Sequence, residues 1–206
     1  MGLKDTKIRL SADELAFLSE TAFFDKKRNI IDGIIDLFGD LEGSIHEKVT
    51  KFSSVLPEAT LNKRGKISRG ENYQGLPYVI LDYPSVFTKE GIFAFRTLMW
   101  WGNPFTFTFH ISGSYLHTFR KKLIDCFSRN DNAELLVCIN GNQFEHHLGV
   151  TNYRNLNEFL ANNGNISELI KTNGFLKITQ ALPLIQIDKL NSGGVQFVED
   201  ILTRLN

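Results

Sequence analysis

Ile92-Phe93-Ala94-Phe95-Arg96-Thr97-Leu98-Met99-Trp100-Trp101, then Gly102-Asn103-Pro104, then Phe105-Thr106-Phe107-Thr108-Phe109-His110-Ile111-Ser112 is the stretch that decides the fold. Two runs rich in aromatic and β-branched residues meet at a Gly-Asn-Pro break, which reads as a β-hairpin. With Gly102-Asn103 as a two-residue turn, Trp101 faces Pro104 and Arg96 faces Phe109. One side of the ribbon then holds Ala94, Arg96, Leu98 and Trp100 opposite Ile111, Phe109, Phe107 and Phe105. The other holds Phe93, Phe95, Thr97, Met99 and Trp101 opposite Ser112, His110, Thr108, Thr106 and Pro104. The phenylalanines fall on both faces, and a ribbon apolar on both faces needs cover on both.

In this register Arg96 sits among phenylalanines, where an unpaired guanidinium is costly. Asp82 or Glu90 must pair it, its head must reach solvent, or an anionic ligand must meet it. Thr106, Thr108, His110 and Trp101 share the opposite face. Hydroxyls and an imidazole among large apolar groups suit a partly exposed sheet surface or the wall of a small-molecule pocket. Arg96, His110, Thr106, Thr108 and Trp101 are therefore the candidate ligand-binding residues, and the sequence assigns no catalytic residue.

Outward from the hairpin, Lys66 to Arg69 and Tyr78 to Tyr83 read as strands, the second closed by Pro84. Glu134 to Ile139 and Gln143 to Leu148 flank Asn140-Gly141, a strong hairpin signal. Phe175 to Leu184, interrupted by Pro183, reads as a further strand. Ser11-Ala12-Asp13-Glu14 is a capping box that opens a helix over 12–20. Ile31, Ile34, Ile35, Phe38, Leu41, Ile45, Val49 and Phe52 recur every three or four residues, predicting one long amphipathic helix that ends near Pro57. Helices are also predicted over 115–129, 155–162, 167–171 and 195–205. Helices before, within and after hairpin-joined strands argue for a single α+β domain, mostly an antiparallel sheet packed by the long N-terminal helix and further helices. Residues 1–57 form its helical part and 63–206 its sheet.

The 206 residues suffice to bury roughly 70 % of the unfolded surface, so no disulfide or structural metal is required. Lys+Arg 23 against Asp+Glu 23 gives no basic excess, which speaks against nucleic acid as a partner. Cys126 and Cys138 form no metal or redox pair, which fits a reducing cytoplasm. The charged N-terminus and short apolar runs predict a soluble cytoplasmic protein without membrane partners. Met1-Gly2-Leu3-Lys4-Asp5-Thr6 matches the myristoylation pattern, a string short enough to arise by chance.

Three further constellations stand out. Glu145-His146-His147, read as strand, puts Glu145 and His147 on one face beside Glu134 and Leu136, a charged ladder or an incomplete metal set. Lys63, Arg64, Lys66 and Arg69 alternate with Gly65 and Gly70, but Glu71-Asn72 follows where a Walker loop has Lys and Ser/Thr; a turn-rich hairpin or a basic rim for an acidic ligand remains. Asp32, Asp36 and Asp40 form a ridge beside Gly33, Gly39 and Gly43, either a solvated helix side or a place where another helix or subunit packs closely.

Lys66-Ile67-Ser68-Arg69-Gly70-Glu71-Asn72-Tyr73-Gln74-Gly75-Leu76-Pro77-Tyr78-Val79-Ile80-Leu81-Asp82-Tyr83-Pro84, with Phe93 to Asn103, resembles a family of uncharacterised bacterial proteins. The resemblance spans about the middle third of the chain, implies a bacterial cytoplasmic protein, and carries over no catalytic residue. The leading expectation is a non-catalytic protein that binds a small anionic or aromatic ligand, or a protein partner, on an aromatic sheet face. The alternatives are an oligomeric scaffold acting through the N-terminal helices, and a hydrolase or transferase using His110 or the Glu145 and His147 pair. No cofactor is assigned and no metal is expected.

Overall fold

A computed structural model describes residues 8–61, 63–129 and 133–206. The Met1 to Thr6 pattern lies outside the described residues. The fold is α+β, a seven-stranded sheet in which every pairing is antiparallel: β1 (Lys66–Tyr73), β2 (Leu76–Phe87), β3 (Ile92–Trp100), β4 (Phe105–Ser112), β5 (Leu135–Cys138), β6 (Tyr153–Asn155) and β7 (Phe175–Leu182). Their order in space is β1-β2-β3-β4-β7-β5-β6.

The first helix, α1 (Ala12–Leu18), carries the expected capping box: Glu14 N–H donates to Ser11 Oγ and Ser11 N–H to Glu14 Oε2. The long helix α2 (Ala22–Val49) tightens into a 3-10 turn at Thr50–Phe52 and so stops short of Pro57. Its predicted stripe is the buried one, Ile31, Ile34, Phe38, Leu41, Ile45 and Val49, with Ile35 and Phe52 packed at its edge. The connection back to β1 is fastened by Glu42, buried on α2, which accepts from Arg64 Nη2 at 2.7 Å and Gly65 N–H at 3.0 Å. Arg69 lies 3.6 Å from Asp32. Arg64 and Arg69 of the basic stretch thus tie β1 and the approach to it to α2.

Helices α4 (Gly113–Phe127) and α7 (Leu190–Leu205) join α2 on one face of the sheet. The close helix approach is at Gly194 on α7, where a Cβ would stand 2.9 Å from Leu41 and 3.0 Å from Phe107; Gly33, Gly39 and Gly43 have open space within 4 Å. Short helices α3 (Glu58–Leu61), α5 (Leu156–Ala161) and α6 (Ile166–Asn173) complete the connections. Among the described residues no helix is long and apolar enough to cross a membrane.

The structure corrects the hairpin register. The pairs are Phe93↔Ile111, Phe95↔Phe109 and Arg96↔Thr108, one residue from the expected alignment, with Trp101 to Pro104 in the connection. A two-residue turn would place Pro104 in the ladder opposite Trp101, and proline has no N–H to give it. A slip of one residue exchanges the faces of one strand relative to the other. Phe93, Phe95, Phe105, Phe107 and Phe109 therefore all lie on the helix-covered face, in edge contacts such as Phe93 to Phe109 at 5.3 Å between ring centres. The two-residue turn of this sheet is instead Gln74-Gly75, both at positive φ, 50° and 84°, where the chain reverses tightly between β1 and β2.

Two other strand expectations fail. β2 runs through Pro84 to Phe87 by a bulge between Asp82 and Ser85. Residues 143–148 form no strand: β5 pairs with β6 and β7, and residues 139–152 leave the ladder as a long coil. Glu145 and His147 consequently do not face Leu136 and Glu134.

Candidate functional site on the polar face of the sheet

The corrected register builds a polar layer. One row crosses the sheet as Asp82↔Arg96↔Thr108↔Thr179↔Leu136, and the neighbouring row as Ala94↔His110↔Lys177. Alternation then requires that Tyr78, Ile80 and Leu98 share this face. Lys177 and Thr179 are, with Gln180, the polar residues of the run Phe175–Leu182, and the period of two between Lys177 and Thr179, matching Thr108 and His110, was the sequence signal that could have placed them here.

Arg96 is held side-on by Asp82, Nε to Oδ1 at 2.7 Å and Nη2 to Oδ2 at 2.9 Å. Asp82 is thus the internal partner that the chemistry demanded, and Glu90 is not. Arg96 Nη1 donates to His146 Nε2 at 3.0 Å. Because a guanidinium only donates, the His146 ring is neutral with its proton on Nδ1. His110 Nε2 and Gln143 Oε1 are 3.0 Å apart. Thr108 and Thr179 share a hydroxyl hydrogen bond of 2.9 Å. Lys177, only 1 % exposed, donates to the Glu145 carbonyl at 2.6 Å and lies 5.5 Å from the centre of the Tyr153 ring.

These bonds reach the coil of residues 139–152, which covers this face. Tyr73 fixes it further: its hydroxyl donates to Glu145 Oε2 at 3.0 Å and accepts from His146 N–H at 2.8 Å. Asn152, fully buried, donates to the His147 carbonyl at 2.7 Å and accepts from the Cys138 thiol. Backbone that forms neither helix nor strand must satisfy its groups in this way when it lies against a core. Long-range side-chain bonds leave no local periodicity, so the coil's docking, and the roles of Tyr73, Gln143, Phe144 and His146, were not legible in the sequence.

Burial sets the protonation states. It holds His146 down to about 2 and His110 down to about 3, with the Lys177 charge adding to both and Arg96 acting in the same direction. Burial also lowers Lys177 to about 8 and raises the Tyr153 phenol and the Cys138 thiol. Both histidines are neutral bases in a positive local field.

Between this layer and the coil opens a cleft of about 230 Å³ lined by Tyr73, Tyr78, Ile80, Arg96, Leu98, Phe144 and His146. Tyr73 makes edge contacts to Tyr78 at 6.4 Å and to Trp100 at 5.1 Å between ring centres. Phe144 is 60 % exposed at its rim.

Of the sequence-predicted site residues, Arg96 lines the cleft. Thr108 and His110 lie deeper in the same layer, and Thr106 shares their face as the partner of Leu98. Trp101 is separated from them. It packs against the helix-side core and lines an apolar groove of about 350 Å³ with Ile30, Ile34, Phe105, Leu184 and Ile187. His147 Nδ1 accepts from Gly149 N–H, while the Glu145 carboxylate is taken by Tyr73, so these two side chains are engaged separately. Among the described residues no group of three or more His, Cys, Asp and Glu stands close enough to hold a metal ion. No family model, curated protein or solved structure matches the chain.

Proposed function

We propose that this is a cytoplasmic protein that binds a small ligand, without chemistry of its own, in the cleft between the polar sheet face and the 139–152 coil. The observation that carries this reading is the Arg96 guanidinium: it is anchored by Asp82 and His146 yet still opens into a cleft walled by Tyr73, Tyr78 and Phe144. A few fixed polar groups inside an aromatic wall are the composition of a ligand pocket. Binding is favoured over hydrolysis or group transfer because Nε2 of His146 and of His110 is taken by Arg96 and Gln143, and among the described residues neither ring has a hydroxyl or thiol nucleophile as hydrogen-bond partner. A thermal-shift screen of small aromatic and anionic fragments tests this reading. Stabilisation that disappears in Phe144→Ala supports it; no stabilisation by any fragment refutes it.

A second reading rests on the N-terminal arm. Helix α1 has no buried residue and exposes Leu15, Phe17 and Leu18, followed by exposed Phe23 and Phe24 on α2. Such a surface suits self-association. Light scattering across a concentration series tests it, a constant monomer mass counting against it.

A further inference from the structure

We infer that the ligand of this cleft is a small carboxylate on a flat apolar body. The carboxylate meets the unused N–H groups of Arg96, and the body lies against the rings of Tyr73, Tyr78 and Phe144. The inference rests on the cleft being a ligand site.

Of the five guanidinium N–H groups, three are engaged, by Asp82 twice and by His146 once. One N–H is left on each terminal nitrogen, and the Arg96 side chain is 20 % exposed. His146 spends Nε2 on Arg96, so its Nδ1–H is the ring's remaining polar group, and it too is a donor. Tyr73 already uses its hydroxyl as donor and acceptor. The Tyr78 hydroxyl can act either way. The cleft therefore offers mainly donors, and a ligand rich in acceptors is what it can satisfy.

Charge narrows the class. Asp82 is already paired with Arg96, while Lys177 sits behind the wall with no ion-pair partner among the described residues. Glu145, whose carboxylate accepts from Tyr73 and acts on Lys177, brings the count to two cations and two carboxylates, so the case for an anion rests on the unused Arg96 N–H groups. The single cation opening into the cleft suits one negative charge better than a phosphate carrying nearly two. Shape supplies the rest. About 230 Å³ lies below the usual range for drug-sized ligands, and Ile80 and Leu98 on the floor leave nothing for a polar body to bond. A ring bearing one carboxylate fits these limits.

Titration calorimetry of the intact protein with benzoate and with benzamide, its neutral counterpart of the same shape, tests the inference without any substitution at Arg96. Benzoate is expected to bind at least tenfold more tightly at pH 7, with both weakened in Phe144→Ala. Equal affinity for the two, still weakened by Phe144→Ala, overturns the carboxylate and leaves the cleft as a ligand site. Binding that ignores Phe144→Ala, or no binding by either probe, overturns the cleft itself and the inference with it.

Discussion

Asp82 and Arg96 stand directly opposite each other on β2 and β3 and meet through two parallel hydrogen bonds of 2.7 and 2.9 Å, with the Asp82 side chain 11 % and the Arg96 side chain 20 % exposed. A pair this enclosed costs far more to break than to replace. Arg96→Met alone, which strands the carboxylate, is expected to lower unfolding free energy by about 3 kcal/mol. Asp82→Leu combined with Arg96→Met is expected to recover most of that loss. Urea denaturation of the two variants checks it; equal losses would show that the pair's charge balance is not what matters.

The neutral histidines make the fold acid-sensitive. Free histidine titrates near 6.5, whereas His110 and His146 are held to about 3 and about 2. Below pH 6.5 the unfolded chain takes up protons that the folded chain refuses, so stability falls with pH, by about 1.4 kcal/mol per pH unit for each histidine. Lys177, lowered to about 8 from 10.5, adds stability as pH rises through that window, because the folded chain sheds its proton first. Urea midpoints from pH 7 to pH 4 are expected to fall steeply, and His110→Gln to flatten the slope. A slope unchanged by that substitution would count against the neutral, buried state of His110.

Phe144 separates binding from stability. With 60 % of its surface exposed, its removal is expected to change unfolding free energy by no more than about 0.5 kcal/mol while weakening any ligand in the cleft. Parallel melting and binding measurements on Phe144→Ala check both halves.

Two glycines should respond oppositely to the same substitution. Gly194→Ala puts a methyl 2.9 Å from the fully buried Leu41 and is expected to cost about 1 to 2 kcal/mol. Gly39→Ala meets nothing within 4 Å and is expected to add about 0.5 to 1 kcal/mol through helix propensity. If Gly39→Ala instead destabilises the protein in a concentration-dependent way, a second subunit packs on that side of α2.

What the sequence could and could not reveal follows from the range of the interactions. The Ser11 and Glu14 box and the α2 stripe are local, repeated every few residues, and appear where expected. The central hairpin is legible from its two aromatic runs and the Gly-Asn-Pro break, but its register turns on how Pro104 is accommodated. That single residue decided whether Arg96 lay among phenylalanines or beside Thr108. Arg96 as a group requiring a partner was legible because a buried charge must be paired, with Asp82 and Glu90 both on offer; only the cross-strand register selects Asp82. The coil that covers the polar face was not. Tyr73, Lys177, His110 and Arg96 reach it from strands far apart in sequence, and its Asn140-Gly141 pair imitates a hairpin turn that the structure does not make. The question of what covers the second face of the sheet therefore has a definite answer, the 139–152 coil, and the cleft exists because that cover is incomplete beside Phe144.

The most direct measurement of the ligand-site account is a chemical-shift map of the backbone and side-chain amides titrated with benzoate. The predicted result is saturable shifts confined to Tyr73, Tyr78, Arg96 and residues 143–147, with the Arg96 Nε–H among the largest. Shifts centred instead on Trp101, Leu184 and Ile187 around the apolar groove, or scattered over the surface without saturation, would contradict it.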